Sequence, residues 1–250
     1  MDKAPPTIFS RQRSAAKWRR AFSRYKSGAA ASFLLDDLTD DVIERIGFMQ
    51  LQPKKALVVG DWSSAVPTFL GGLGSKIAVG QLGDFNEELP APVSDYDLIA
   101  HLMGLGMVND LPGALIHARN ALAKDGIFIA AFPGAGSLSA LRTITLAADG
   151  DRPSPRIHPM IDTSAASALL QRAGFKRQVV DSHTLSVRYR SLEQLVSDLR
   201  DHGLTCSLQR GSPPFTKQAF QRAKDAFESL RDDEGKVTET FEMLNLTAWK

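Results

Sequence analysis

Ala56-Leu57-Val58-Val59-Gly60-Asp61-Trp62-Ser63-Ser64 reads as a short buried strand that breaks at a glycine and turns into a helix. In open α/β sheets this junction lies at the carboxyl end of a strand, where nucleotide-type ligands settle. Glycines suit such a turn because, without a Cβ, the backbone N–H groups can approach a ligand closely. After Gly60, however, the chain places Asp61, Trp62, Ser63 and Ser64. The frame is that of a ligand-binding turn, and its usual residues have been replaced.

Working outward, the apolar runs and their punctuation predict alternating elements. A helix over 65–70 is stopped by Gly71, Gly72 and Gly74, and a strand follows over 77–82. Pro90 and Pro92 make 86–94 a loop, and 95–100 is the next buried strand. A helix runs from Asp110 or Leu111 to 123, with Asn109 and Asp110 suited to cap it and 124–126 to stop it, and a strand covers 127–132. Strand, helix, strand, helix, strand implies a parallel sheet with right-handed crossovers. Gly134-Ala135-Gly136 lacks the lysine and spacing of a phosphate loop and reads as a turn into a helix over 137–148. The segment 149–161, with Pro153, Pro155 and Pro159, is a long irregular connection of the kind that forms lids. Beyond it come a helix over 164–173, strands over 175–181 and 185–189, helices over 192–202 and 216–231, and a last strand over 237–249. Upstream of the deciding stretch, 32–48 forms an amphipathic helix.

A chain of 250 residues that is 43% hydrophobic can bury one substantial core, so one domain with an insertion is expected. The 30 basic and 28 acidic residues nearly balance, which argues against nucleic acid as a partner. The balance is uneven along the chain: residues 1–26 carry Lys3, Arg11, Arg13, Lys17, Arg19, Arg20, Arg24 and Lys26 against Asp2 alone. Interleaved Trp18, Phe22 and Tyr25 make this a helix docked on the domain, with membrane-surface or acidic-partner binding and a mitochondrial transit peptide as the alternatives. The single cysteine, Cys206, cannot form an intramolecular disulfide. No apolar run reaches the roughly 20 residues of a membrane span, and no signal-peptide core is present.

Several stretches together resemble one family: Ile8-Phe9 with Arg11, Val108-Asn109-Asp110-Leu111-Pro112, 122–128, Ser137-Leu138 with Leu141-Arg142, Arg172-Ala173-Gly174-Phe175 with Val180-Asp181, and Trp249-Lys250. They are similar to class I S-adenosylmethionine-dependent methyltransferases, in the branch of the complex I assembly factor with arginine hydroxylase activity and the biotin-pathway malonyl methyltransferase. The resemblance implies an α/β, Rossmann-like class I methyltransferase fold whose last strand is antiparallel. An N-terminal helical extension (1–50) then precedes a methyltransferase-like domain (51–250) with a helical insertion over 188–236. It also implies S-adenosylmethionine as cofactor, a role in assembly or maturation of a protein partner such as a respiratory complex, and a bacterial cytoplasm or mitochondrial matrix as compartment. An active methyltransferase and a protein arginine hydroxylase are the rival functions.

Departures from the family pattern bear on the cofactor site. Of the glycine-rich loop only Gly60 matches; Trp62 stands where the middle glycine is expected and would fill space the cofactor needs. No acid ends the second strand at Gln81-Leu82-Gly83 to meet ribose hydroxyls. Too few residues separate Gly60 from Tyr96 for two helix-strand units, so one strand and its helix are expected to be missing, giving a reduced sheet. The cofactor-binding candidates are Gly60, Asp61 and Asp84, the last either an adenine-side remnant or a solvated loop acid. A pseudoenzyme that binds the cofactor weakly or not at all is the expectation.

Other chemistry is sparse. The five histidines make no i, i+4 metal pair, so no metal site is expected. His101, just beyond a strand end, is either a general base or a packed residue, and His158 sits in the proline-rich loop as a solvated residue. Cys206 has no base nearby in sequence and reads as an incidental thiol.

Overall fold

The computed structural model describes residues 7–250; Asp2 and Lys3 of the basic segment lie outside the described residues. Six strands form one sheet: β1 (Lys55–Val59), β2 (Lys76–Gly80), β3 (Tyr96–Leu102), β4 (Leu122–Pro133), β5 (Arg177–Tyr189) and β6 (Val237–Trp249). Their order is β2-β1-β3-β4-β6-β5; the first four are parallel, and β6 runs antiparallel to both β4 and β5. Central strands need apolar residues on both faces, and Ala56 to Val59 of β1 and Ile127 to Pro133 of β4 are buried accordingly. The sheet ends at β2, with no strand beyond it among the described residues. The reduced sheet is the expected one.

Among the described residues eight α-helices surround it: α1 (Arg11–Lys26), α2 (Phe33–Phe48), α3 (Ala65–Gly72), α4 (Leu111–Ala121), α5 (Ser139–Asp149), α6 (Thr163–Arg172), α7 (Leu192–Asp201) and α8 (Lys217–Ser229). Side-chain oxygens of Ser10, Asp110, Asp162, Ser191 and Thr216 accept N–H bonds at the starts of α1, α4, α6, α7 and α8. Leu34, Leu35, Leu38, Val42 and Ile46 of α2 are fully buried where it packs on β3 and β4. The helices α7 and α8 fill the segment between β5 and β6.

Three local expectations need correction. The two strands over 175–181 and 185–189 are one continuous β5, thirteen residues long, because β6 pairs with all of it from Arg177↔Trp249 to Tyr189↔Val237. Helix α4 ends at Ala121 rather than 123, and Lys124-Asp125-Gly126 lies within β4 instead of stopping the helix; Leu122 already pairs with Tyr96. Asn109 is not an α4 cap. Its Oδ1 accepts from Ile8 and Phe9 N–H at 2.7 and 2.8 Å, and its Nδ2 donates to the Phe9 carbonyl, tying the N-terminal segment to the β3–α4 connection.

Candidate functional site

The turn after β1 is built on Gly60, whose φ of +87° is a conformation that side chains resist and whose N–H donates to the Gly80 carbonyl at 3.0 Å. A Cβ there would lie 2.1 Å from the Leu102 carbonyl oxygen, so β1 and the end of β3 approach as closely as a glycine permits. Asp61 follows and is buried. Its Oδ1 accepts from Ser63 N–H (2.9 Å), Ser63 Oγ (2.5 Å) and Ser64 N–H (3.0 Å), and its Oδ2 accepts from Val66 N–H (2.9 Å). At the start of α3 the Val66 N–H is thus met by the Asp61 carboxylate and the Ala65 N–H by Ser63 Oγ at 3.2 Å, so a carboxylate of the chain itself sits at the positive end of the helix dipole.

Trp62 packs on Trp18 of α1, ring centroids 5.9 Å apart and tilted by 49°. The helix α1 lies over the carboxyl ends of β1 to β3. Ala15 sits so near Gly83 that a Cβ on the glycine would be 3.0 Å from the Ala15 Cα, and Lys17 reaches Met107 after β3. Asp84 is exposed on the turn beyond β2, with its backbone N–H held by the Gln81 carbonyl. Gly60 and Asp61 therefore share one turn, while Asp84 stands on the rim of a separate cavity of about 120 Å³ that Arg11, Ser14, Glu87 and Asn109 also line. A second, apolar cavity of about 30 Å³ lies between α4 and the sheet face carrying Leu57, Val59, Ile99 and Phe128. The loop residues Phe85 and Leu89 also line it. Small-molecule sites run to roughly 300–1,000 Å³, and both spaces are smaller than that.

His101, one residue before the end of β3, is almost fully buried, with Nε2 3.2 Å from Glu87 Oε1 and Nδ1 without a partner among the described residues. The pair could pass a proton to a group entering beside Glu87. His158 is also buried, not solvated as the sequence suggested: its ring meets Phe9 edge-on at 6.0 Å. Burial, with the neighbouring Lys17 charge, pushes its pKa down to about 3.

Lys17 is the residue that sequence reasoning missed. It is 3% exposed; its Nζ lies 2.6 Å from Met107 Sδ and 4.6 Å from the Trp18 ring centre, with no carboxylate partner among the described residues. Burial pushes its pKa down to about 7, opposed only by the nearby Cys206 thiol. Helical phase was the available signal, since Ser14, Lys17, Trp18 and Ala21 fall on one stripe. Cys206 is exposed, and among the described residues no three His, Cys, Asp or Glu side chains cluster to hold a metal.

No protein-family model matches the chain. Arginine-hydroxylase NDUFAF5, mitochondrial, of Mus musculus is 32% identical over 66% of this chain and 49% of its own length, and the human protein of that name matches with the same identity and coverage. The chain thus spans about half the length of the curated relatives it matches first. Malonyl-[acyl-carrier protein] O-methyltransferase of Gallionella capsiferriformans is 25% identical over 93% of this chain and 89% of its own length. The crystal structure of the Bacillus subtilis YcgJ protein shares the fold, with a TM-score of 0.52 at 12% identity over 86% of this chain and 98% of that one. The chain is thus similar to methyltransferase-like proteins, and its parallel sheet closed by an antiparallel β6 is the Rossmann-like fold of class I methyltransferases.

Proposed function

We propose that this protein is a methyltransferase-like pseudoenzyme that has given up S-adenosylmethionine binding and serves in assembly or maturation of a protein partner, such as a respiratory complex, in a bacterial cytoplasm or mitochondrial matrix. The observation that carries this reading is Asp61. Its carboxylate takes up N–H donors at the α3 start, which would otherwise be offered to an anionic ligand, and a second carboxylate brought there would meet like charge. The Trp62–Trp18 contact and the Ala15–Gly83 approach support it, because α1 covers the crevice that a cofactor would enter. The fold by itself confers no activity.

The partner surface in this reading is the outer side of α1. Arg11, Arg19 and Arg20 are exposed there, whereas Arg24 is paired with Asp201 and Arg13 donates to the Leu208 carbonyl. Isothermal titration with S-adenosylmethionine and S-adenosylhomocysteine tests the cofactor half. No heat at millimolar ligand is expected, and low-micromolar binding would establish an active methyltransferase instead. Mass spectrometry of co-purified partners tests the rest: an unmodified partner agrees with the proposal, while a gain of one methyl or one oxygen points to methylation or arginine hydroxylation.

A further inference from the structure

A separate cleft of about 340 Å³ opens between α1, α5, α7 and the connections over 150–162 and 202–216. Its size is that of a small-molecule site. The floor is apolar, formed by Leu138, Leu141, Ile157, Leu199, Leu204 and Phe215. Arg13 and Arg156 also line it, with Thr145, Thr205 and Ser212, and no acidic residue does.

The two guanidinium groups differ. Arg156 is balanced by Asp149, Nε to Oδ1 at 2.8 Å, and lies over the Phe215 ring at 3.9 Å, where it forms part of the wall. Arg13 gives one N–H to the Leu208 carbonyl at 3.0 Å and has no carboxylate partner among the described residues. An apolar floor with uncompensated positive charge at its edge favours a ligand whose body is hydrocarbon and whose end is an anion.

We infer that this cleft binds a medium-length aliphatic carboxylate, its chain on the Leu141–Leu199 floor and its carboxylate at Arg13. The inference does not depend on whether S-adenosylmethionine binds, since Gly60, Asp61 and Trp62 take no part in the cleft.

Octanoate, octan-1-ol and octylamine titrated calorimetrically into the full chain separate the contributions. Octanoate binds, octan-1-ol binds at least about tenfold more weakly, and octylamine does not bind. Arg13→Gln weakens octanoate by about tenfold to a hundredfold and leaves octan-1-ol unchanged. Leu141→Trp fills the floor and abolishes both, and Arg210→Gln, on the exposed surface, changes nothing. Melting curves confirm that each variant is folded; Arg13→Lys, which keeps the charge, retains most of the affinity if Arg13→Gln does not fold. Equal binding of the three probes, an unaffected Arg13→Gln, or no octanoate binding at millimolar concentration would overturn the inference.

Discussion

Replacing Lys17 by methionine should make this protein more stable, by an amount that depends on pH in a prescribed way. Methionine has nearly the length of lysine and no charge, so it can keep the contacts with Trp18 and Met107. The folded chain holds the Lys17 proton with a pKa of about 7, against 10.5 in the ordinary case. Between those values the unfolded chain is protonated where the folded chain is not, so raising the pH stabilises the wild-type protein. At one pKa unit per 1.36 kcal/mol, burial of this group costs about 4 kcal/mol at pH 7 and about 2 kcal/mol near pH 9, and nothing above about pH 10.5. Lys17→Met removes that cost. With a typical urea dependence of about 2–3 kcal/mol per molar, the unfolding midpoint should rise by roughly 1.5 M at pH 7 and by about half of that at pH 9. Urea titrations of both proteins at the two pH values provide the assay. A variant no more stable than wild type, or a gap that stays constant between the two pH values, would refute the reasoning.

The same linkage runs at acid pH: His158 and His202 are pushed by burial down to about 3 and about 4, so the unfolded chain gains protons first as pH falls below about 6.5. Stability is then lost progressively toward pH 3, and His158→Phe should move the acid midpoint, followed by circular dichroism, to lower pH. Gly60→Ala must strain a φ of +87° and push against the Leu102 carbonyl, at a cost of at least about 2 kcal/mol seen as a lower melting temperature; an unchanged melt would contradict the close β1–β3 approach. Arg19→Gln with Arg20→Gln should leave folding within about 0.5 kcal/mol and weaken sedimentation with anionic vesicles at low salt, the difference vanishing at high salt. Equal sedimentation of variant and wild type would show that this surface does not meet anionic lipid.

Much of the framework could be read from residues whose local signal and tertiary role agree. The run Ala56 to Val59 is apolar because β1 is flanked on both sides, and Asp110 caps α4 as its type suggests. β5 was harder to read. Asp181, Ser182 and His183 interrupt its apolar alternation because the strand is at the sheet edge; Asp181 and His183 are met by Arg45 and Asp37 of α2, far away in sequence, and Ser182 by Glu242 of β6. At the candidate site the altered turn was visible at Trp62, but the role of Asp61 depends on four donors assembled only when α3 forms. Lys17 was hidden among seven other basic residues in 1–26, since charge counting is blind to which one faces the core.

The position of β6 constrains how the molecule can be made. Lying between β4 and β5, it is the partner of both, yet it leaves the ribosome after α7 and α8. Until then β5 has no strand to pair with and β4 has one bare edge along its length, two templates for association with other nascent chains. Productive folding is therefore a late, non-local event in which a single thirteen-residue segment closes two gaps at once. A chaperone that shields β4 and β5 during the synthesis of 190–236 would act where this topology is most exposed.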